Sequence, residues 1–203
     1  AGNRKAVERL RSKLRQDRFP HGIIFSGPDG VGKRTCALMI AKALNCARSS
    51  AADGFCGECV SCRKIDSGTH PDVITVSLED EATQIKIAQI RQLLLTLDFH
   101  PLEGRNKIFI IDPANLMNTE AANALLKGLE EPPENSFFFL ITVNSQELLL
   151  TVRSRCQTYH FTPLMLQDIR RYGITDELVV RWSQGSIGRA RTLDAERLKH
   201  ERE

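Results

Sequence analysis

Two neighbouring stretches of this 203-residue chain carry residue types whose spacing does chemistry. Cys46, Cys56, Cys59 and Cys62 stand in a C-x9-C-x2-C-x2-C pattern. Four thiolates close a tetrahedron around Zn2+ and leave no open position, which makes a structural site rather than a catalytic one. Gly57, Glu58 and Ser61 between the ligands suit the tight turns and the N–H to sulfur bonds of a knuckle. A redox CxxC is the competing reading, and two overlapping CxxC pairs with a fourth cysteine favour metal. The second stretch is Gly27-Pro-Asp-Gly30-Val-Gly32-Lys33. Between a buried strand and a helix, Gly-x4-Gly-Lys lets successive backbone N–H groups and the helix N-terminus wrap a phosphate, with the lysine reaching its oxygens. A merely tight glycine turn is the alternative.

The residues around that loop depart from what hydrolysis needs. The position after Lys33, where a Ser or Thr hydroxyl ligates Mg2+, is Arg34, and Thr35 comes one residue late, about 100° further round a helix. The apolar run Lys107-Ile-Phe-Ile-Ile111 ends in Asp112, an acid suited to a water-mediated Mg2+ contact, but Pro113 comes next, where a glutamate would polarise the attacking water. Arg34 and Pro113 therefore imply a nucleotide fold that binds phosphate without supporting its transfer, so ATP and Mg2+ binding by this chain is doubtful.

Composition sets the frame. A hydrophobic fraction of 41% and a charged fraction of 26% are those of an ordinary soluble α/β domain with a smaller appendage. The longest apolar runs, such as Phe137 to Thr142, are strand length, far below the roughly 20 residues of a spanning helix, so no membrane is expected. Ala1-Gly-Asn-Arg-Lys5 has no apolar stretch behind it and reads as a cloning remnant leading into a helix, which leaves the cytoplasm as the expected compartment. A reducing cytoplasm strengthens metal over disulfide for the four clustered cysteines. Cys36 falls inside a helix as a small buried hydrophobe. A net charge of +3 is too small to announce nucleic acid, so any DNA contact comes from a local patch or an assembly.

The elements that must position these residues alternate. An opening helix (Val7, Leu10, Leu14) precedes the strand Gly22 to Ser26, the Gly-rich turn and a helix over Thr35 to Leu44. After the cysteines come a strand at Val73 to Val76, a helix at Ile87 to Leu97, a strand at Lys107 to Ile111 and a helix from Thr119 to Glu130 stopped by Pro132-Pro133. A strand at Phe137 to Thr142, a short helix near Gln146 to Leu150 and a strand near Gln157 to Phe161 complete the series. The expected fold is α/β, a doubly wound parallel sheet of P-loop type with a cysteine insertion at about 46–62, which puts ligands at the carboxyl ends of the strands. A boundary is expected near Pro163, giving domains 1–163 and 164–203. The second is small and helical, and its charge-rich end Arg197 to Glu203 reads as a cut helix.

Several motifs together resemble one family. His21-Gly-Ile-Ile-Phe-Ser-Gly-Pro28, the four cysteines, Gly68-Thr-His-Pro-Asp72, Asn123-Ala-Leu-Leu-Lys-Gly-Leu-Glu-Glu-Pro-Pro133, Ser154-Arg-Cys156 and Gly185-Ser-Ile-Gly-Arg189 run through nearly the whole chain. The chain resembles the AAA+ clamp-loader subunits of bacterial DNA polymerase III, most of all their delta-prime type. The resemblance implies an AAA+ fold and a five-subunit loader with an ATPase subunit (gamma or tau) and delta, which opens a sliding clamp and closes it on primed DNA. It also implies a C-terminal helical collar, which these residues do not include. It makes Arg155 an arginine finger for a neighbour's ATP site, Arg189 a second-domain sensor, and Thr142 with Asn144 the region of a first sensor. Taken alone, Arg155 reads as a surface arginine in an ion pair and Arg189 as a packing residue between domains. On the helix from Asn123 the leucines fill a core, and Lys127, Glu130 and Glu131 form a solvated face. The alternatives are an active gamma/tau-like ATPase and a stand-alone enzyme such as a kinase, for which the chain offers no clear lid or catalytic base.

Overall fold

Every residue of Gly22–Ser26 (β1) is buried, the pattern of a parallel strand covered on both faces. The computed structural model describes residues 3–16, 18–171, 173–174 and 176–193. Helix α1 (Arg4–Arg15) leads into β1, and after it come α2 (Lys33–Asn45), α3 (Val60–Asp66), β2 (Val73–Val76), α4 (Ile87–Leu95) and β3 (Lys107–Ile111). Then come α5 (Thr119–Glu130), β4 (Ser136–Thr142), α6 (Leu150–Arg153), β5 (Gln157–His160), α7 (Leu166–Arg171), α8 (Glu177–Trp182) and α9 (Ile187–Thr192). The strands form one sheet in the order β2-β3-β4-β1-β5, and all their pairings are parallel.

Side-chain alternation along the strands divides the core into two layers. Ile23 and Phe25 of β1, with Ile108, Ile110, Phe137 and Phe139, face the buried sides of α1, α2 and α3. Ile24, Phe109, Ile111, Phe138 and Leu140 face α4, α5 and α6. Aromatic contacts hold the two central strands together, Phe25 against Phe139 with centroids 5.7 Å apart on one face. The chain leaves β1 on one face and leaves its neighbour β4 on the other. The crevice between their carboxyl ends is thus the topological switch point where open α/β sheets bind ligands.

Local differences from the sequence reading have local causes. The short helix near Gln146 to Leu150 resolves into a 3-10 turn at Ser145–Glu147, capped by the Asn144 side chain, and then α6. Helix α4 stops at Leu95, two residues before its expected end. Helix α3 emerges from the cysteine segment because Cys59 caps it, its sulfur accepting the Cys62 N–H. Beyond Pro163 the helices α7 to α9 gather around Leu164, Ile169, Val179, Val180 and Ala190. The charge-rich end at 197–203 lies outside the described residues.

The turn Gly68 to Asp72 holds the chain before β3. The Asp72 carboxylate accepts N–H groups from Leu102 at 2.7 Å, Glu103 at 2.8 Å and Gly104 at 2.7 Å. Burial alone would raise its pKa, and these three donors outweigh burial and hold it below the ordinary 3.8. His70 bridges the same turn to the cysteine segment, its Nδ1 accepting the Asp72 N–H and its Nε2 lying 3.1 Å from Ser61 Oγ. Because the folded pKa of Asp72 is depressed, its stabilisation is present above the unfolded value and is lost as pH falls through the folded one. Asp72→Asn, which sets an amide NH2 against N–H donors, is expected to cost about 3 kcal/mol of unfolding free energy at neutral pH, as read by urea denaturation.

Candidate functional site

The glycine-rich loop leaves β1 at the crevice, tied to β4 by the Gly27 N–H donating to Thr142 O at 3.2 Å. Lys33 opens α2 and is 5% exposed. Its Nζ donates to Gly27 O at 2.5 Å and Pro28 O at 2.7 Å, and lies 3.4 Å from Asp29 Oδ1. Burial pulls the ammonium below its usual 10.5, with Asp29 and then Asp112 working against that shift. The loop carbonyls and Asp29 thus take up the three donors of an ammonium held inside the loop, which offsets the cost of burying its charge.

Arg34 and Asp112, read separately from the sequence as departures, meet in space. Arg34 Nη1 donates to Asp112 Oδ2 at 3.1 Å, across the gap between the first turn of α2 and the end of β3. Mg2+ takes oxygen ligands in a near-octahedral shell. Here the carboxylate that would serve it is joined to a guanidinium, and Thr35 is exposed on α2, so the residues do not fit a divalent ion. Thr142 is 1% exposed, and its hydroxyl donates to Asn144 O at 3.0 Å and lies 3.3 Å from Asn115 Oδ1. Its role in the fold is to order the turn after β4.

Helix α9 sits directly on the loop. The Gly188 N–H donates to Gly30 O at 3.2 Å. A Cβ at Gly30, whose φ is +72°, would lie 2.0 Å from Ser186 Oγ, and one at Gly188 would lie 3.0 Å from Gly30 Cα. Only glycine on both sides allows this approach. Arg189 Nη1 donates to Gln184 Oε1 at 2.9 Å, so its side chain is engaged within the helical segment. On another side Asn3, from the stretch read as a cloning remnant, donates to Val31 O at 3.3 Å and Thr162 O at 3.2 Å. Sequence reasoning missed both contacts. The one signal for the first was a glycine inside a helix, where it costs about 1 kcal/mol relative to alanine.

Arg155 stands just before β5. Gln157 pairs in register with Ile23, near the start of β1, whereas the glycine loop leaves the end of that strand. From His21 to Gly27 is about 20 Å of extended chain. Arg155 Nη2 forms a 2.7 Å ion pair with Glu130 Oε1, and Nη1 donates to Thr151 O at 2.9 Å. Glu130 is therefore more than part of a solvated face: it holds Arg155 half-exposed at the sheet's other end.

The four cysteine sulfurs lie within 4.8 Å of one another, a little wider than the edge of about 3.8 Å that a tetrahedron of Zn–S bonds of about 2.3 Å has, so small side-chain shifts bring the four thiolates onto one ion. Cys46, Cys59 and Cys62 are buried and Cys56 faces outward. N–H groups of Cys56 and Cys59 donate to the sulfurs of Cys46 and Cys56 at 3.4 Å and 3.3 Å. Burial raises the Cys59 thiol, yet the N–H donors of Cys62 and Ala47 bring it down to about 6. The donor set fits zinc. Cys36 and Cys156 behave otherwise, burial pushing each up to about 12 as inert thiols. Phe55 packs on the cluster, and Lys42 of α2 lies over its ring at 5.1 Å and pairs with Asp66, fastening the insertion to the sheet domain.

Solved structures share this architecture. A DNA polymerase III gamma subunit-related protein from Thermotoga maritima superimposes with a TM-score of 0.61 at 22% identity, over 96% of this chain and 60% of that one. The Thermotoga maritima RuvB Holliday junction branch migration motor does so with a TM-score of 0.55 at 16% identity, over 92% and 57%. The fold is that of an AAA+ P-loop protein. A profile of the family described as DNA polymerase III, delta subunit, matches residues 2–165, and the chain belongs to this clamp-loader subunit family. It is 39% identical over 165 residues to DNA polymerase III subunit delta' of Bacillus subtilis, covering 81% of this chain and 49% of that protein. It is 42% identical to subunit delta' of Pseudomonas aeruginosa, covering 67% and 41%. Against subunit tau of Escherichia coli the identity is 38%, covering 83% and 26%. The chain thus spans between about a quarter and a half of these relatives' length. Among the described residues no helix is long and apolar enough to cross a membrane.

The contact of α9 with the loop makes its own forecast. Gly188→Ala raises helix propensity by about 1 kcal/mol yet puts a methyl against Gly30. It is expected to lower the thermal midpoint and to speed amide exchange over 186–192.

Proposed function

We propose that this chain is the AAA+ part of a delta-prime-type clamp-loader subunit of DNA polymerase III, one that supplies an arginine to a neighbouring ATPase subunit and does not hydrolyse ATP itself. The observation that carries the reading is the Arg34–Asp112 ion pair, which engages the carboxylate that a catalytic Mg2+ would need. Pro113 next to it offers no general base. The loop Gly27, Gly30, Gly32 and Lys33, with Thr142 and Arg189 around it, is on this reading a vestigial nucleotide site in a domain ending near Pro163.

Arg155 supports the other half of the proposal. Standing a strand length from its own loop, and held half-exposed by Glu130, it is suited to a site on another chain. Charge builds on the γ-phosphoryl oxygens as phosphoryl transfer proceeds, and a cation supplied in trans stabilises it only when the neighbour is in place. The partners are then a gamma/tau ATPase subunit and delta, with the sliding clamp and primed DNA engaged through the assembly in the cytoplasm. A gamma/tau-like ATPase is the second reading, favoured by the 38% identity to tau.

The cysteine site is structural zinc on this account. The purified chain is expected to carry about one Zn2+, and Cys59→Ala to lose the metal and melt at a lower temperature. The functional test is the reconstituted loader with Arg155→Ala in this subunit. DNA-stimulated ATP turnover is expected to fall by about tenfold or more, as loss of an arginine finger does. Unchanged turnover would sink the assignment of Arg155.

A further inference from the structure

We propose that Arg34 is a built-in counter-cation of the phosphate loop, so that the loop takes a nucleoside polyphosphate without a divalent metal. The proposal rests on the reading of Gly27 to Lys33 as a phosphate loop and adds how its charge is balanced.

A polyphosphate arriving at the crevice brings its negative charge up to the Asp112 carboxylate. In a metal-dependent site the ion neutralises both. Here Arg34 Nη1, 3.1 Å from Asp112 Oδ2, already neutralises the carboxylate from a fixed position on α2. That contact uses one of the five N–H donors of the guanidinium. The remaining four have no acceptor among the described residues, and the side chain is 52% exposed, so they are accessible to phosphate oxygens in forked geometry. A divalent ion at Asp112 would have to displace or sit against this permanent cation.

The loop backbone points to the same ligand charge. The first N–H of this segment to enter the helical ladder is that of Cys36, donated to Gly32 O. The N–H groups of Val31 through Thr35 have no acceptor among the described residues. Lys33 adds a second cation, held inside the loop. The loop therefore has two side-chain cations, each beside one carboxylate, Lys33 with Asp29 and Arg34 with Asp112, and a run of N–H donors with no acceptor among the described residues. It can hold anionic phosphates, and it has no place for the metal that would activate them. A nucleotide bound this way is retained and not turned over.

The test is calorimetric titration of the chain with ATP, in EDTA and in Mg2+. The native chain is expected to bind ATP in EDTA, with Mg2+ changing the affinity by less than about twofold. Arg34→Thr is expected to bind about tenfold more weakly in EDTA, the loss of one charge-assisted contact, and to regain affinity when Mg2+ is added. Lys33→Ala should abolish binding in both buffers, and circular dichroism melts establish that each variant is folded. A native chain that needs Mg2+ to bind, or an Arg34→Thr chain that binds like the native one in EDTA, overturns the proposal. Binding by neither the native chain nor any variant, in either buffer, overturns the phosphate-loop reading beneath it.

Discussion

The structure depends on one constraint, the burial of β1 between β4 and β5 in a sheet covered on both faces. A parallel strand buried this way is a near-continuous apolar run, here Ile23 to Phe25, and its connections cross over the faces by helices. Once β1 is central, the loop at its carboxyl end emerges at the switch point, and residues level with its amino end lie a strand length away. The glycine loop and Arg155 are thereby assigned to opposite ends of the same layer.

The chemistry of the loop end comes from a single substitution pattern. A phosphate loop needs cationic charge, and Mg2+ normally supplies part of it together with the geometry for transfer. On the proposed reading, the guanidinium of Arg34 at the position of a metal-ligating hydroxyl keeps charge and gives up geometry, because the arginine engages Asp112 directly. The buried Lys33 and the glycine contact between the loop and α9 keep the loop folded, and the proposed loss of hydrolysis concerns only the Arg34 and Asp112 side of the site. The cysteine insertion is fastened to the same α2 through Lys42, Phe55 and Asp66, at the end of the helix remote from the loop. Its distance from the loop fits a purely structural part.

Much of this was legible in the sequence. The buried run Gly22 to Ser26, the Gly-x4-Gly-Lys loop and the stop at Pro132-Pro133 each write their element in local residue types. The cysteine spacing likewise foretold a cluster. Features that depend on distant pairs were not legible. Arg34 and Asp112 are each visible as a departure, but nothing local says that they meet. The same holds for Gly30 with Gly188, for Arg155 with Glu130, and for Asp72, whose three N–H donors come from a loop some thirty residues on. Helix α3 escaped notice because its seven residues are too few and too polar to show a period, and its cap is a cysteine that reads first as a ligand.

The most direct test of the central claim is steady-state ATP hydrolysis by this chain alone over a range of Mg2+ concentrations. If Asp112 is committed to Arg34, turnover stays at background at every Mg2+ concentration. Turnover that rises and saturates with Mg2+ would contradict the account and make the chain an ATPase subunit in its own right.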